Sequence, residues 1–127
     1  MKYENELSHK IIGAAIEVHR TLGGPGLLES VYEESLAYEL EDRGITVARQ
    51  KLVPILYKGR ALANQLRVDL LVEDTIIIEC KAVEKYNAIY EAQTLTYLRL
   101  LRLRLGLVIN FGDRTIKSGV KRVINSL

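Results

Sequence analysis

Three charged residues on two neighbouring segments have the types and spacing of a hydrolytic site. Glu79 and Lys81 end the run TIIIECK, in which three isoleucines predict a strand buried on both of its faces. Charges at the end of such a strand are costly to bury unless something pairs with them. Glu79 and Lys81 point to the same side of the strand, because side chains alternate along it. The third charged residue, Asp69, lies in the preceding apolar segment QLRVDLLVE.

The turn between the two segments decides which residues face each other. It is short and lies around Asp74, so we expect an antiparallel hairpin. Directly opposed residues in such a hairpin have a constant index sum, and a loop centred on Asp74 therefore sets Asp69 opposite Glu79. A two-residue loop at Glu73 and Asp74 shifts this pairing by one residue, and both turns remain open at this point.

Two interpretations of these charges follow. Carboxylates about 5 Å apart across a ladder repel each other, and a divalent cation removes the repulsion. Oxygen ligands favour Mg²⁺ or Mn²⁺ over zinc, and the Lys81 ammonium can then orient a water or stabilise charge developing on a phosphate. In the alternative, Asp69 or Glu79 forms an ordinary ion pair with Lys81 or Arg67 at the end of the sheet.

Two predicted helices carry further polar residues. GLLESVYEE places Glu29 and Glu33 one helical turn apart on one face, from which a third carboxylate can reach the metal. For Glu33 and Glu34 we favour an ordinary solvated helix face. QTLTY places Gln93 and Tyr97 at i and i+4, where an amide and a hydroxyl suit a substrate phosphate or a base edge. A simple polar stripe is the alternative for this second pair.

The elements that must position these residues follow from hydrophobic periodicity and turn residues. We predict helices at 5–22, 27–43 and 87–103, strands at 45–59, 65–73, 75–82 and 105–112, and a tail, TIKSGVKRVINSL, that fits strand or helix. The order is α-α-β-β-β-α-β plus the tail. The expected fold class is α/β, a central mixed sheet flanked by helices, in one domain spanning residues 1–127.

Composition narrows the class of protein. The 127 residues are 48% apolar and 27% charged, which is typical of a globular domain, and no apolar run approaches the roughly 18 residues of a membrane helix. The N-terminus is polar, and Cys80 is the only cysteine, so we expect the protein to be located in the reducing cytoplasm. The net charge of +2 is uneven, because residues 99–127 hold seven basic residues and one acidic residue. This basic region, Arg99 to Arg122, is a candidate for phosphate contact, with a plain solvated surface as the alternative.

These residues together resemble the PD-(D/E)XK nuclease superfamily. More closely, the chain resembles the small GxxExxY proteins, whose motif appears here as Gly26-Leu-Leu-Glu29-Ser-Val-Tyr32. The helix glutamate, the strand aspartate, the E-x-K and the downstream Q-x-x-x-Y occur in the superfamily's order. The resemblance covers nearly the whole chain and implies a restriction-endonuclease-like core.

The resemblance also implies roles for individual residues. Asp69 and Glu79 would bind Mg²⁺ or Mn²⁺, Glu29 would complete or support that metal site, and Lys81 would be the catalytic lysine beside the attacking water. Cys80 would offer its backbone carbonyl to the metal, with its side chain directed into the core. Gln93 and Tyr97 match the exonuclease-like branch of the superfamily, in which they lie near DNA. The implied activity is metal-dependent hydrolysis of DNA phosphodiesters.

A second hypothesis is a non-catalytic module that keeps the nuclease fold and binds nucleic acid or a protein. The chain resembles a bare nuclease core, so specific cleavage would call for a protein partner or a homodimer. We expect His9 and His19 to be surface or half-buried helix residues rather than catalytic bases. We expect five tyrosines to pack rather than to stack on bases: Tyr3, Tyr38, Tyr57, Tyr86 and Tyr90.

Overall fold

The computed structural model describes all residues, 1–127, as a mixed α/β fold. The helices are α1 (Lys2–Thr21), α2 (Glu29–Asp42), α3 (Ile89–Leu101) and α4 (Ile116–Gly119). The strands are β1 (Val47–Tyr57), β2 (Arg60–Val72), β3 (Ile76–Lys81), β4 (Leu105–Asn110) and β5 (Val120–Ile124). The first seven elements follow the predicted order. The tail is both a short helix and a strand, so the predicted order was incomplete.

The five strands form one mixed sheet in the order β1-β2-β3-β4-β5. Neighbours are antiparallel except β3 and β4, which are parallel. A parallel pair needs a crossover, and α3 provides it between these two strands. The predicted central mixed sheet flanked by helices is confirmed.

The sheet separates two hydrophobic cores, which explains the isoleucine run in β3. Ile76 and Ile78 pack in the core that α1 and α2 cover, whereas Ile77 packs in the core that includes Leu98 of α3. All three isoleucines are fully buried. A strand covered on both faces reads as continuously apolar, as it does here.

The β2–β3 turn has the geometry that centres the hairpin on Asp74. Glu73 and Asp74 both have φ of 51°, and Leu70, Leu71 and Val72 pair with Ile78, Ile77 and Ile76. The register sum is therefore the one that brings Asp69 opposite Glu79. Of the two turns that the sequence left open, this is the three-residue loop.

The β1–β2 hairpin is longer than predicted. β2 begins at Arg60 instead of Gln65, directly after the two-residue turn Lys58-Gly59. Both turn residues have positive φ, 48° and 81°, as a tight hairpin turn requires. Lysine rarely adopts positive φ, so the residue type at position 58 does not predict a turn.

The alternation of faces along β2 breaks at Asp69. Leu70 packs in the α1/α2 core and Val68 in the opposite core, although residues two apart normally share a face. On the neighbouring strand, Gln50 has φ of 50° and interrupts the ladder between Arg49 and Lys51. The sheet is thus locally distorted where the predicted site begins.

No helix in the structure is long and apolar enough to cross a membrane.

Candidate functional site

The Asp69 and Glu79 carboxylates bind reciprocally to the backbones of each other's strands. The Asp69 N–H donates to Glu79 Oε2 at 2.9 Å, and the Cys80 N–H donates to Asp69 Oδ2 at 2.9 Å. The regular backbone pairing of β2 and β3 ends at Leu70 and Ile78, and these side-chain bonds continue the connection. Both carboxylates are therefore held side by side, while Glu79 Oε1 accepts no hydrogen bond from the protein.

The two carboxylates carry an electrostatic cost. Glu79 is 6% exposed, and its burial, followed by the nearby Asp69 charge, raises its pKa to about 8. Burial also raises the pKa of Asp69. The three ion pairs of the structure join Arg20 to Glu17, Arg43 to Glu39 and Arg49 to Glu33. Neither Lys81 nor Arg67 pairs with the two carboxylates, so the alternative of an ordinary ion pair is wrong here.

Lys81 is close to the acidic residues without pairing with any of them. Its charge lowers the pKa values of Glu79, Asp69 and Glu29, although other effects dominate at each. The Lys81 Nζ lies 4.6 Å from the centroid of the Tyr90 ring on α3. A ring face attracts an ammonium, so Tyr90 holds this lysine by a cation–π contact. Sequence reasoning assigned Tyr90 to packing and missed this contact.

The start of α2 places Glu29 at the rim of the site. Glu29 is the first residue of α2 and is exposed; partial desolvation raises its pKa, and the Asp69 charge raises it further. Ahead of it, Gly26 has φ of 116°, which favours glycine. The Tyr32 hydroxyl donates to Gly24 O at 2.7 Å and accepts from the Leu27 N–H at 3.1 Å. Tyr32 thereby fixes the loop that leads into Glu29.

The ring of Tyr32 anchors this loop in the core. It is fully buried and stacks on Phe111, with ring centroids 4.8 Å apart and an interplanar angle of 11°. The spacing G-x-x-E-x-x-Y thus has a local physical account. The glycine turns the chain, the glutamate faces the site, and the tyrosine one helical turn later ties the turn to the core.

Glu33 is not on a solvated face, and that prediction was wrong. It is 5% exposed, and both its oxygens accept from Gln50 Nε2 at 2.9 Å. Arg49 Nη2 lies 3.6 Å from Glu33 Oε2. Its neighbour Glu34 is exposed, as expected. Burial of Glu33 depends on α2 lying beside β1, which helical spacing alone does not reveal.

Gln50 links this helix to the strand carboxylates. Besides binding Glu33, its side chain lowers the pKa of Asp69. It does so from the left-handed conformation noted above, which is costly for a residue other than glycine. No feature of the sequence marks Gln50, because glutamine is not a typical residue for that conformation.

A divalent cation at this site would depend on the oxygen donors around Glu79. Cys80 is fully buried in the α1/α2 core, so its thiol faces away from Glu79, as expected, and burial raises the thiol pKa. No group of three or more His, Cys, Asp or Glu side chains converges to hold a metal ion. The closely held carboxylates are the pair Asp69 and Glu79. Two oxygen ligands without a cationic partner fit Mg²⁺ or Mn²⁺ if backbone carbonyls and water complete the set.

Gln93 and Tyr97 lie on one face of α3, as predicted. Gln93 Nε2 donates to the Tyr97 hydroxyl at 2.8 Å. Burial raises the pKa of Tyr97, and the Glu79 charge raises it further, so the phenol lies on the side of the carboxylates. This polar pair therefore borders the site from the helix opposite to α2.

The two histidines lie outside the site. His9 is exposed, but His19 is buried, against expectation, with its Nε2 3.2 Å from Phe111 O and 3.0 Å from Asp113 O. Two carbonyl acceptors require a donating nitrogen, so His19 holds the chain that follows β4. This is a structural role rather than that of a base.

The basic residues of the C-terminal region are divided among several surfaces. Arg122 donates to Asn5 Oδ1 at 2.7 Å and to Ser8 Oγ at 3.1 Å on α1. Lys121 instead stands in register with Val108 and Glu79 across the sheet, with its Nζ 5.9 Å from the Tyr86 ring. Of the two, Lys121 belongs to the neighbourhood of the carboxylates.

Comparison with known proteins identifies the family. A family model described as the PD-(D/E)XK nuclease superfamily matches residues 5–123. Searches of curated proteins and of solved structures find no significant match.

Proposed function

Because the chain belongs to the PD-(D/E)XK nuclease superfamily, we propose that it is a metal-dependent nuclease that hydrolyses DNA phosphodiester bonds. The observation that carries this proposal is the pair of carboxylates of buried Glu79 and half-buried Asp69, held side by side without a cationic partner. Lys81 stands beside them, unpaired. A structural ion cluster would have satisfied these charges, whereas a metal site leaves them for the ion.

In this proposal each residue has a defined role. Asp69, Glu79 and the Cys80 carbonyl hold Mg²⁺ or Mn²⁺, and Glu29 supports the site from the rim. A bound cation supplies Lewis-acid activation of the phosphoryl group and of water. The Lys81 ammonium donates hydrogen bonds to the attacking water and to the phosphoryl oxygen on which charge develops.

The remaining residues position the substrate. Water forms a new bond to phosphorus, the bond to the leaving oxygen breaks, and a proton passes to that oxygen. Gln93 and Tyr97 offer an amide and a hydroxyl to the phosphate or base, and Lys121 offers its charge to the backbone. Gly26, Glu29 and Tyr32 support assignment to the GxxExxY proteins. We also propose a reducing cytoplasm as the location, because the single cysteine is free and buried.

The test is cleavage of labelled single- and double-stranded DNA with Mn²⁺, with EDTA as the metal control. Lys81→Ala should abolish cleavage, since it removes the ammonium that stabilises the developing charge, while the Mn²⁺-induced rise in melting temperature remains. Lys85→Ala is the matched control, because Lys85 is exposed in the loop that follows β3 and should keep full activity. Full activity of Lys81→Ala would refute this mechanism.

A second candidate is a binding module that has kept the nuclease fold. The observation in its favour is that no three metal-ligating side chains converge. In that case Mn²⁺ should leave the melting temperature unchanged and no DNA should be cut, whereas a metal site stabilises the folded state on binding.

A further inference from the structure

The hairpin formed by β1 and β2 projects away from both hydrophobic cores. Leu66 is the last buried residue of β2 toward the tip, and no residue from Pro54 to Gln65 is buried. At about 3.3 Å per residue, the strands beyond Leu66 reach roughly 15 Å from the body. We call residues 51–67 the arm. Its base adjoins the site, because Gln50 directly precedes the arm on β1 and Asp69 lies two residues beyond it on β2.

The arm carries charge of one sign. It contains Lys51, Lys58, Arg60 and Arg67 and no acidic residue. All four are exposed, and none forms an ion pair. Fold stability does not explain four unpaired cations on a projecting hairpin. A polyanion does, because each phosphate contact releases condensed counterions.

The tip adds an aromatic ring between two cations. Tyr57 was predicted to pack, but it is 59% exposed, so that prediction was wrong. Its ring lies 5.4 Å from Lys58 Nζ, and it pairs with Arg60 across the ladder. Exposed aromatic rings beside positive charge form stacking platforms for unpaired bases. The tip therefore favours single-stranded nucleic acid over a protein surface, because unpaired bases can stack on the Tyr57 ring.

The edge strand β1 is poorly suited to pairing with another strand. Gln50 has a left-handed backbone, Pro54 lacks a donor, and the ladder shifts between Pro54 and Leu56. Proline, bulges and lysines are the features that block pairing at sheet edges. A second copy or another protein extending the sheet is thus a weaker fit than a polyanion, although Leu56 and Leu62 are exposed.

We infer that the arm is a nucleic-acid-binding surface that guides the sugar-phosphate backbone of single-stranded DNA into the Asp69–Glu79 site. This inference rests on the proposed function for its direction toward the site. It assigns the main contacts with the DNA backbone to the arm instead of to the basic C-terminal region.

The test is the binding of a labelled single strand of roughly 20 nucleotides in EDTA, so that no cleavage occurs. Lys58→Gln combined with Arg60→Gln should weaken binding and make the slope of log affinity against log salt shallower by about 1.4, or about 0.7 per cation on a single strand. Arg114→Gln combined with Lys117→Gln is the matched control. It removes the same two charge types from exposed positions beside α1 and should bind as the wild type does.

A second variant pair tests the stacking platform. Tyr57→Ser should weaken binding of the single strand, and Tyr57→Phe should not, because it keeps the ring. Melting temperatures near that of the wild type show that each variant is folded. Equal loss in the arm and control variants, or no loss in the arm variant, would overturn the inference.

The outcomes separate this inference from the proposed function. Binding through the arm without any cleavage would keep the inference and reject the nuclease. Cleavage that is indifferent to the arm variants would do the reverse. A wild-type protein that binds no DNA but forms a dimer broken by Leu56→Ser would assign the arm to a second copy and overturn the inference.

Discussion

Asp69 and Glu79 are each held by a backbone N–H from the opposite strand, and this arrangement orders them before any ligand binds. Preformed ligands lose little conformational freedom on metal binding. The cost is the proximity of the half-buried Asp69 carboxylate to the buried Glu79 carboxylate. Without a cation, protonation is the way to relieve it, and the raised pKa of Glu79 expresses this.

The metal-free protein should lose stability as pH rises from about 5 to 8. The folded-state pKa of Glu79 is about 8 against an ordinary 4.5, so in this window the folded state holds a proton that the unfolded state has released. Stability is then greatest at the acidic end and falls by up to about 1.4 kcal/mol per pH unit. Thermal melts in EDTA at several pH values measure the slope. Glu79→Gln should flatten it, and an unchanged slope in that variant would assign the proton to another group.

Tyr90 should act as a positioning residue for Lys81. Tyr90→Leu removes the cation–π contact, worth about 0.5–1 kcal/mol when exposed, and should lower kcat more than it raises KM for DNA. Tyr90→Phe keeps the ring and should restore activity. If both variants behave alike in kcat, the ring face is not what holds the lysine.

Among the elements, α3 brings Tyr90, Gln93 and Tyr97 beside the strands because it packs closely on β4. A Cβ added at Gly106 would lie 2.7 Å from Thr94 Cγ2 and 3.4 Å from Leu98 Cδ1. The absence of a side chain at Gly106 therefore sets how near the helix lies. The Thr94 hydroxyl also donates to Tyr90 O at 2.8 Å within the same helix.

Gly106→Ala should destabilise the fold by about 1–3 kcal/mol, as overpacking does, and should displace α3 from the site. Adding Thr94→Ser removes the clashing methyl group but keeps the hydroxyl, so the double variant should recover most of the loss. Chemical denaturation of the two single variants and the double variant measures the coupling. Simple additivity would show that the clash is relieved elsewhere.

At the scale of the whole molecule, both cores share one sheet. The isoleucines of β3 contribute to each core, so neither core can unfold without exposing the other. The predicted single domain of residues 1–127 should therefore unfold in one cooperative transition.

Calorimetry tests this expectation. The calorimetric and van't Hoff enthalpies should agree, at about 90 kcal/mol near roughly 60 °C for a chain of this size. A separate early transition would show that the arm or α3 melts independently. Saturating Mn²⁺ should shift the transition as a whole, because the proposed ligands lie on the central strands.

Much of the fold and the central pair followed from the sequence alone. Periodicity predicted the helices and strands around the site, since burial on one or two faces leaves a direct pattern. The turn around Asp74 is short, so the sequence allowed only two registers, and one of them has the index sum that sets Asp69 opposite Glu79. Lys81 shares the strand with Glu79, and Gln93 shares a helix with Tyr97, so local geometry sufficed for these pairs.

What only the tertiary structure decided depends on contacts between distant elements. Glu33 is buried because α2 lies beside Gln50 on β1, and Tyr90 meets Lys81 because Gly106 lets α3 approach. The lack of a cationic partner for Asp69 and Glu79 depends on where every lysine and arginine lies in the fold. The length of the arm depends on the left-handed turn at Lys58, which the residue type does not predict. Each of these features depends on contacts between segments that are distant in sequence. The residue pattern within one segment does not determine such contacts.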